Sequence, residues 1–328
     1  MDRRTWLVTG AAGFIGSHLV GRLLGESQKV VGVDNLSTGK WENLQEVLGR
    51  LTNGQQKSFS FICDDIGNVR MMERALSGVH VVLHQAAVAS VPLSIENPHY
   101  VHDTNATGFL NILNSAKNEG VKRVVYASSS AVYGDNPTAI KSEGDLGELL
   151  SPYAVTKFID ELYAAQFHRH YKMETVGLRY FNVYGPRQDP QGSYAAVIPK
   201  WIEALRKGDP ILIHGDGTTT RDFCHVDDVV AANILGATVT RQSAFGKNYN
   251  ICSGEETSLS SLAEGLVSHW SKKFPQTPPP EIIHGRFRDG DIYRSCGSYE
   301  LAQKELGFVP RLRLSDGLIK LFDNFSDQ

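Results

Sequence analysis

Cysteine is scarce: the 328 residues hold four, Cys63, Cys224, Cys252 and Cys296, with no CxxC pair among them. That excludes a thiol redox motif, a zinc ribbon and a small disulfide framework. Long apolar runs are missing too, none reaching the roughly 18 residues of a membrane helix. No tract of one charge occurs; 33 Lys and Arg against 36 Asp and Glu leave a net charge of -3. Neither nucleic acid nor an anionic membrane is therefore an expected partner, while a local anion site stays open. There is no HExxH, and His168 and His170 lie two apart on an expected helix, facing differently, so no metal is expected. Cys224 and His225 are adjacent, but neighbours on an extended chain point oppositely, which makes Cys224 a structural thiol. The first residues, Met1 to Val8, run straight into a strand-like stretch without a signal-peptide cleavage pattern. A reduced, cytoplasmic, soluble chain is the expectation.

What is present is ordinary globular composition, 41% hydrophobic and 21% charged, in a length that suits one large α/β unit or two fused domains. Strands are expected at Trp6–Thr9, Val30–Val33, Phe59–Cys63, Val79–His84, Val121–Ala127 and Glu174–Leu178. They are apolar on both faces, as strands covered by helices must be. Helical patterns at Phe14–Leu24, Asn68–Leu76, Thr104–Lys117 and Pro152–Tyr171 alternate with them, the last opening on Ser151-Pro152, a cap followed by proline. This alternation predicts a doubly wound parallel sheet. Beyond Tyr184 the pattern loosens: a helix near Val197–Lys207, a strand near Ile211–His214, and a helix at Val226–Ala237 with a strand at Asn248–Cys252 that fit either half. Residues 275–280, rich in proline, read as a surface loop, and no internal repeat occurs. The expected division is 1–183 plus about 225–250 as a Rossmann-like nucleotide domain. About 184–224 plus 251–328 would form a smaller α/β domain.

Directly after the first strand stands Gly10-Ala11-Ala12-Gly13-Phe14-Ile15-Gly16, then a helix. Glycines there permit a tight turn and close approach to a pyrophosphate at the helix N-terminus. The spacing is GxxGxxG rather than GxGxxG. Asp34, 18 residues past Gly16, ends the second strand; its carboxylate suits two ribose hydroxyls and repels a 2′-phosphate, favouring NAD. Asp65-Ile66, after the third strand, could receive the adenine edge or simply turn the chain.

Tyr153 and Lys157 stand four apart on one helical face, and of twelve tyrosines only Tyr153 has lysine at that spacing. A nearby cation favours phenolate, which suits a general base. Ser128-Ser129-Ser130 ends the fifth strand, where such folds place ligand-contacting groups; a solvated turn is the plainer reading.

Together with His84-Gln85-Ala86-Ala87, Asn105, Arg179 to Pro186, Arg221-Asp222-Phe223 and Arg288-Asp289-Gly290-Asp291, these residues resemble the extended branch of the short-chain dehydrogenase/reductase superfamily. Within it the chain is similar to UDP-hexose 4-epimerases, most nearly the bacterial UDP-N-acetylglucosamine and glucuronamide-type enzymes of surface-polysaccharide pathways. The resemblance covers nearly the whole chain.

It implies that Ser129, Tyr153 and Lys157 are catalytic, with Tyr153 the base and Lys157 also on the nicotinamide ribose. NAD would be held by Gly10, Gly13, Phe14, Ile15, Gly16, Asp34, Asn35, Asp65, Ile66, Gln85, Ala86 and Ala87. A UDP-sugar would be held by Ala89, Ser129, Ser130, Tyr153, Asn182, Ala196, Val197, Ile213, Arg221, Arg288, Asp291 and Ser295. The arginines would take the diphosphate, and backbone near Ala196–Val197 and Ile213 the uracil. Asn105 would orient the active-site backbone. The implied cycle oxidises the sugar at C4, turns the 4-keto sugar over and reduces its other face. The resemblance also implies a homodimer through the 104–117 and 152–171 helices.

Departures sort the sister activities. Ser130-Ala131 replaces the Asp-Glu of dehydratases, and Ala131 the Glu of decarboxylating relatives. Asn182 and the loop Arg187-Gln188-Asp189 differ from UDP-glucuronate epimerases. Ser295 stands where hexose-restricted epimerases carry a tyrosine gate; with Ala89 and Ala196 it leaves room for a 2-acetamido group. The expected activity interconverts UDP-GlcNAc and UDP-GalNAc, with plain UDP-hexoses slower. The alternatives are a UDP-uronate-type 4-epimerase (UDP-GlcA or UDP-GlcNAcA) and a non-catalytic NAD or nucleotide-sugar sensor.

Overall fold

Seven parallel strands make the main sheet of the computed structural model, which describes residues 2–191, 195–287 and 293–323. In chain order the strands are β1 (Thr5–Thr9), β2 (Lys29–Asp34), β3 (Phe59–Cys63), β4 (Val81–His84), β5 (Arg123–Ser129), β6 (Ile140–Lys141), β7 (Glu174–Tyr180), β8 (Asn182–Tyr184), β9 (Ile211–His214), β10 (Thr220–Arg221), β11 (Phe223–His225), β12 (Lys247–Ile251), β13 (Thr257–Ser258), β14 (Ile282–Gly285) and β15 (Arg294–Gly297). The main sheet runs β12-β7-β5-β4-β1-β2-β3, every adjacent pair parallel. The chain is α/β and doubly wound: from β1 it winds outward first to β2 and β3, then to β4 on the other side. That reversal opens a crevice above the carboxyl ends of β1 and β4.

The period of two shows in the packing. Trp6 and Val8 enter one apolar cluster while Leu7, between them, enters the other. Val125 likewise joins the first, and Val124 and Tyr126 the second. Each such side chain, fully buried, contributes roughly 1.5–3 kcal/mol, so register is strongly specified. The helices Phe14–Gly25 and Val226–Thr238 cover the first face; Val69–Leu76, Gly108–Asn118 and Pro152–Tyr171 cover the second.

The two elements that fitted either half both belong to the main sheet: β12 pairs with β7, and Val229, Val230 and Ala232 pack in the cluster of Trp6. A third cluster gathers Trp201, Ile211, Ile213, Leu266 and Leu321 among the helices Val197–Lys207, Leu259–Lys273 and Leu314–Asp323. The last two helices and Glu300–Leu306 had no counterpart in the sequence reading. Ala302, Leu306 and Phe308 return to the first cluster, so the 300–308 stretch packs beside the main sheet although the expected division put it in the other half. The expected Thr104–Lys117 helix opens with a π-helical turn, Asp103–Thr107, before the α-helix Gly108–Asn118. Strands β4 and β5 begin two residues later than expected, at Val81 and Arg123.

Candidate active site

The carboxyl ends of β1, β2, β4, β5 and β7 border one cleft of about 690 Å³. Its floor is the glycine turn. Gly10 has φ of 65°, and a Cβ on it would stand 2.8 Å from the Ala86 nitrogen; one on Gly16 would stand 1.9 Å from the Gly10 carbonyl oxygen. Side chains there would fill the cradle. The first helix starts at Gly13 without a side-chain cap or an acidic residue in its first turn. Its leading N–H groups, on Phe14, Ile15 and Gly16, therefore lack intrahelical acceptors and suit an anion.

Asp34 has two duties. Its Oδ2 accepts from the Ala12 N–H at 2.9 Å and its Oδ1 from the Leu36 N–H at 2.8 Å, so it braces the turn it was expected only to face. Each oxygen keeps a lone pair, and the carboxylate lines the cleft. Asn35 Nδ2 donates to Asp65 Oδ2 at 2.7 Å, while Asp65 Oδ1 accepts from the Gly67 N–H. Asn35, Asp65 and the buried Ile66 all line the cleft. Ala86, Ala87 and Ala89 form the wall after β4. Gln85 also borders the cleft, but its amide is engaged, donating to Asn233 Oδ1 and accepting from the Tyr180 hydroxyl, both at 3.1 Å. The Thr9 hydroxyl accepts from the Gln85 and Ala86 N–H groups, leaving its proton for His84 Nδ1 at 2.8 Å. Burial, helped by Lys157, pushes His84 down to about 3, so it stays neutral.

Ser129, Ser130, Tyr153 and Lys157 line the same cleft. Ser151 caps the Pro152–Tyr171 helix by accepting from the Ala154 N–H at 3.1 Å, which fixes the start of the turn carrying Tyr153. Half-buried Tyr153 makes no side-chain hydrogen bond among the described residues, leaving its hydroxyl to the cleft. Lys157, 2% exposed, donates to the Ala127 carbonyl at 3.1 Å and to Asp160 Oδ2 at 3.2 Å. Ser129 Oγ accepts from the Ala131 N–H at 3.1 Å, capping the short turn Ser130–Tyr133. Asn105 clamps the Val88 backbone, accepting from its N–H at 2.8 Å and donating to its carbonyl at 3.1 Å. It also donates to Thr156 Oγ1, which donates in turn to the Tyr153 carbonyl.

A second cavity of about 540 Å³ adjoins the first; Asn182, Val183 and Gln188 line both. Ala196, Val197 and Arg221 line the second. Asn182 donates through its backbone and side chain to the Asp222 carbonyl, at 3.1 and 3.0 Å. Strand alternation buries the Ile211 and Ile213 side chains in the core and turns Leu212 and His214 to the cavity, so any contact of Ile213 with a ligand there would be through its backbone, as expected of it. Ser295 departs from expectation. It pairs with Arg221 across the β10–β15 ladder and lines neither cavity. Arg288 and Asp291 lie outside the described residues.

Cys224 is fully buried, and burial first, then Asp222 and Asp228, holds its thiol far above the ordinary range. It is not a nucleophile. Among the described residues no cluster of His, Cys, Asp and Glu could hold a metal, and no helix is long and apolar enough to cross a membrane.

Several contributors were not legible beforehand. Glu161 accepts from Ser128, from Arg179 at 2.8 and 2.7 Å, and from Asn248 at 3.0 Å, locking the helix of Tyr153 onto β5, β7 and β12. Arg187, known from the sequence only as part of a loop, lines the cleft, and Asp160 lies buried behind Lys157. The only signal of Asp160 and Glu161 was an acidic pair on a helix with apolar residues on either side.

The model of the NAD dependent epimerase/dehydratase family matches residues 6–252. The UDP-N-acetylglucosamine 4-epimerase of Methanobrevibacter ruminantium, solved with UDP-N-acetylmuramic acid, superposes with a TM-score of 0.89 at 35% identity over 99% of both chains. The UDP-glucose 4-epimerase of Mycolicibacterium smegmatis is 34% identical over 98% of both chains. The UDP-glucuronate 4-epimerase of Thermodesulfobacterium geofontis is 34% identical over 95% of this chain and 93% of its own.

Proposed function

The chain belongs to the NAD dependent epimerase/dehydratase family, and from that premise we propose a UDP-sugar 4-epimerase acting on UDP-N-acetylhexosamines, with plain UDP-hexoses slower. The observation that carries this reading is the join of the two cavities at Asn182, Val183 and Gln188, one holding Tyr153 and Lys157 and the other Arg221. A nucleotide sugar lying across that join would keep its diphosphate beside Arg221 and its sugar beside Tyr153. The uncapped first helix, the glycine cradle and Asp34 fit a dinucleotide.

NAD, when bound, supplies the acceptor and donor of the C4 hydrogen. The Tyr153 phenolate takes the proton from the sugar 4-hydroxyl and, as the phenol, returns it after the sugar turns. Lys157, pinned by Ala127, favours the phenolate and offers its remaining N–H to the cleft. Ser129 orients the 4-hydroxyl from the end of β5. Arg221 and Asn182 hold the diphosphate side while the sugar rotates. Small walls at Ala89 and Ser130 leave room for that rotation and for a 2-acetamido group.

A UDP-uronate reading would need a cation at the sugar carboxylate. Arg187, the arginine of the adjoining loop, instead donates to Ser17 and Glu46 on the cofactor side. A sensor would not need an unengaged Tyr153 hydroxyl beside a buried lysine. Exposed Val155, Leu162 and Tyr163 on one helix, with Ile95 and Tyr100 on the helices packed against it, support a homodimer.

Proton NMR of the purified protein with UDP-GlcNAc or UDP-GlcNAcA, without added cofactor, tests the reading. Growth of the UDP-GalNAc anomeric signal is expected. Conversion of the acidic sugar alone would move the assignment to the uronate class, and no conversion after adding NAD would reject catalysis.

A further inference from the structure

Three residues past Lys157 the same helix carries a carboxylate that the mechanism above does not use. Asp160 is 1% exposed; its Oδ2 accepts from Lys157 Nζ at 3.2 Å, and its Oδ1 is buried with no hydrogen-bond partner among the described residues. Its neighbour Glu161 is the contrast, with both oxygens taken by Ser128, Arg179 and Asn248. A buried carboxylate with one oxygen unmatched is costly, and packing alone does not require it, since an apolar side chain would fill the place. What it touches is the lysine.

The ammonium of Lys157 has three donors. One goes to the Ala127 carbonyl on β5 and one to Asp160, which leaves the third for the cleft that Lys157 lines. We propose that Asp160 is a positioning residue for the proton transfer: it aims the Lys157 ammonium, and its charge offsets part of the field that Lys157 places on Tyr153. Asp160 thereby sets the pH at which Tyr153 becomes a base.

The surroundings isolate this pair. On its own helix Asp160 meets Lys157 and Glu161, and Glu161 is neutralised by Arg179 from β7. From β5 it meets Tyr126, whose hydroxyl is raised well above its ordinary range by burial first and the two carboxylates next. At the end of β4, His84 is neutral. Asp160 is thus the counter-charge of Lys157 among the described residues. Burial pushes the Asp160 carboxyl up to about 7, against the pull of Lys157. Protonation near neutrality would leave Lys157 uncompensated and strengthen its hold on the phenolate.

Tyr153 and Asp160 are seven residues apart, about 10 Å along a helix axis, and a unit charge at that range in a protein moves a pKa by about one unit. Asp160→Asn, isosteric with the protonated carboxyl, should remove that offset and leave the full field of Lys157 on the phenolate. The experiment is near-UV phenolate titration of the purified protein and of Asp160→Asn, each differenced against its own Tyr153→Phe counterpart. A transition about one pH unit lower in Asp160→Asn is expected, with the acid limb of the kcat profile moving equally. Superimposable titrations would overturn the proposal. Asp160→Glu keeps the charge and should titrate as the parent does; a shift as large as that of the amide would assign the effect to packing and overturn it too. Should Asp160→Asn fail to fold, Asp160→Ser carries the same expectation. The inference rests on Tyr153 as the proton acceptor. Failure of that reading appears as turnover surviving Tyr153→Phe, whereas failure of the Asp160 role appears as an unmoved phenolate.

Discussion

Arg187 Nε donates to Ser17 Oγ at 3.0 Å, joining the loop after β8 to the first helix across 170 residues of sequence. The guanidinium also donates to Glu46 at 3.1 Å, and Lys40 meets Asp189 at 2.9 Å, so the loop is tied down twice beside the glycine cradle. Arg187 holds a left-handed backbone, φ 65°, to make this reach. For a residue with a Cβ that conformation persists only where surrounding contacts over-determine it.

Arg187→Ala should therefore loosen the cofactor rather than the chemistry. A hydrogen bond to a charged group contributes roughly 1.5–3 kcal/mol, so NAD release should quicken about ten- to hundredfold. Enzymatic assay of the NAD left on the protein at intervals after dilution and filtration measures it. An unchanged release rate would show that the loop does not cover the cofactor.

Tyr153→Phe should lower kcat by roughly two to four orders of magnitude, the range for a lost general base. Nucleotide binding, read by calorimetry with UDP, should stay within a few-fold. Retained turnover would place the base elsewhere.

Ser295 and Arg221 are ladder partners, and the neighbouring partners Thr220 and Arg294 both hydrogen-bond Glu256, so partners here share a face. A serine at 295 is too short to reach the cavity that Arg221 lines, but a tyrosine on that face extends toward it. Ser295→Tyr should suppress turnover of UDP-GlcNAc more than of UDP-Glc, by about ten- to hundredfold in relative kcat/KM, since filled volume does not yield cheaply. Equal loss on both sugars would refute the gate.

His84 supplies a pH dependence of stability. Burial lowers its folded pKa from 6.5 to about 3, so the unfolded chain binds the proton first. Its contribution is lost as pH falls from above 6.5 toward 3, by roughly 2 kcal/mol between pH 6.5 and 4.5 from this group alone. His18, lowered to about 4 by burial and then Arg187, adds in the same direction. Asp160, raised, acts oppositely over the same window. Urea midpoints across pH should fall less steeply for His84→Gln than for the parent chain; parallel slopes would mean His84 is protonated in the fold.

The doubly wound sheet could be read from residues because most of its strands are apolar on both faces and three end on a ligand-type residue: Thr9 before the glycines, Asp34, and Ser129. The helices 259–273 and 314–323 could not: they pack on each other and on the short strands β9 and β11 in the third cluster, outside the regular alternation of strand and helix. Which of Leu212 and Ile213 turns its side chain to the cavity was not legible for a related reason: one residue along a strand reverses the face, and the apolar run does not say which face is core.

The amino-acid sequence by itself determined what is local. Gly10 and Gly16 can approach backbone because they lack a Cβ, Tyr153 and Lys157 share a helical face because four residues make nearly one turn, and Ser151 starts that helix. Tertiary structure decided what requires distant segments to meet. Asp34 braces the turn of Ala12, Arg187 reaches Ser17, Ser295 stands beside Arg221 rather than in the cavity wall, and Asp160 is sealed against Lys157. Each depends on register and burial set by the whole sheet, and periodicity records which side of an element is apolar without recording what that side will face.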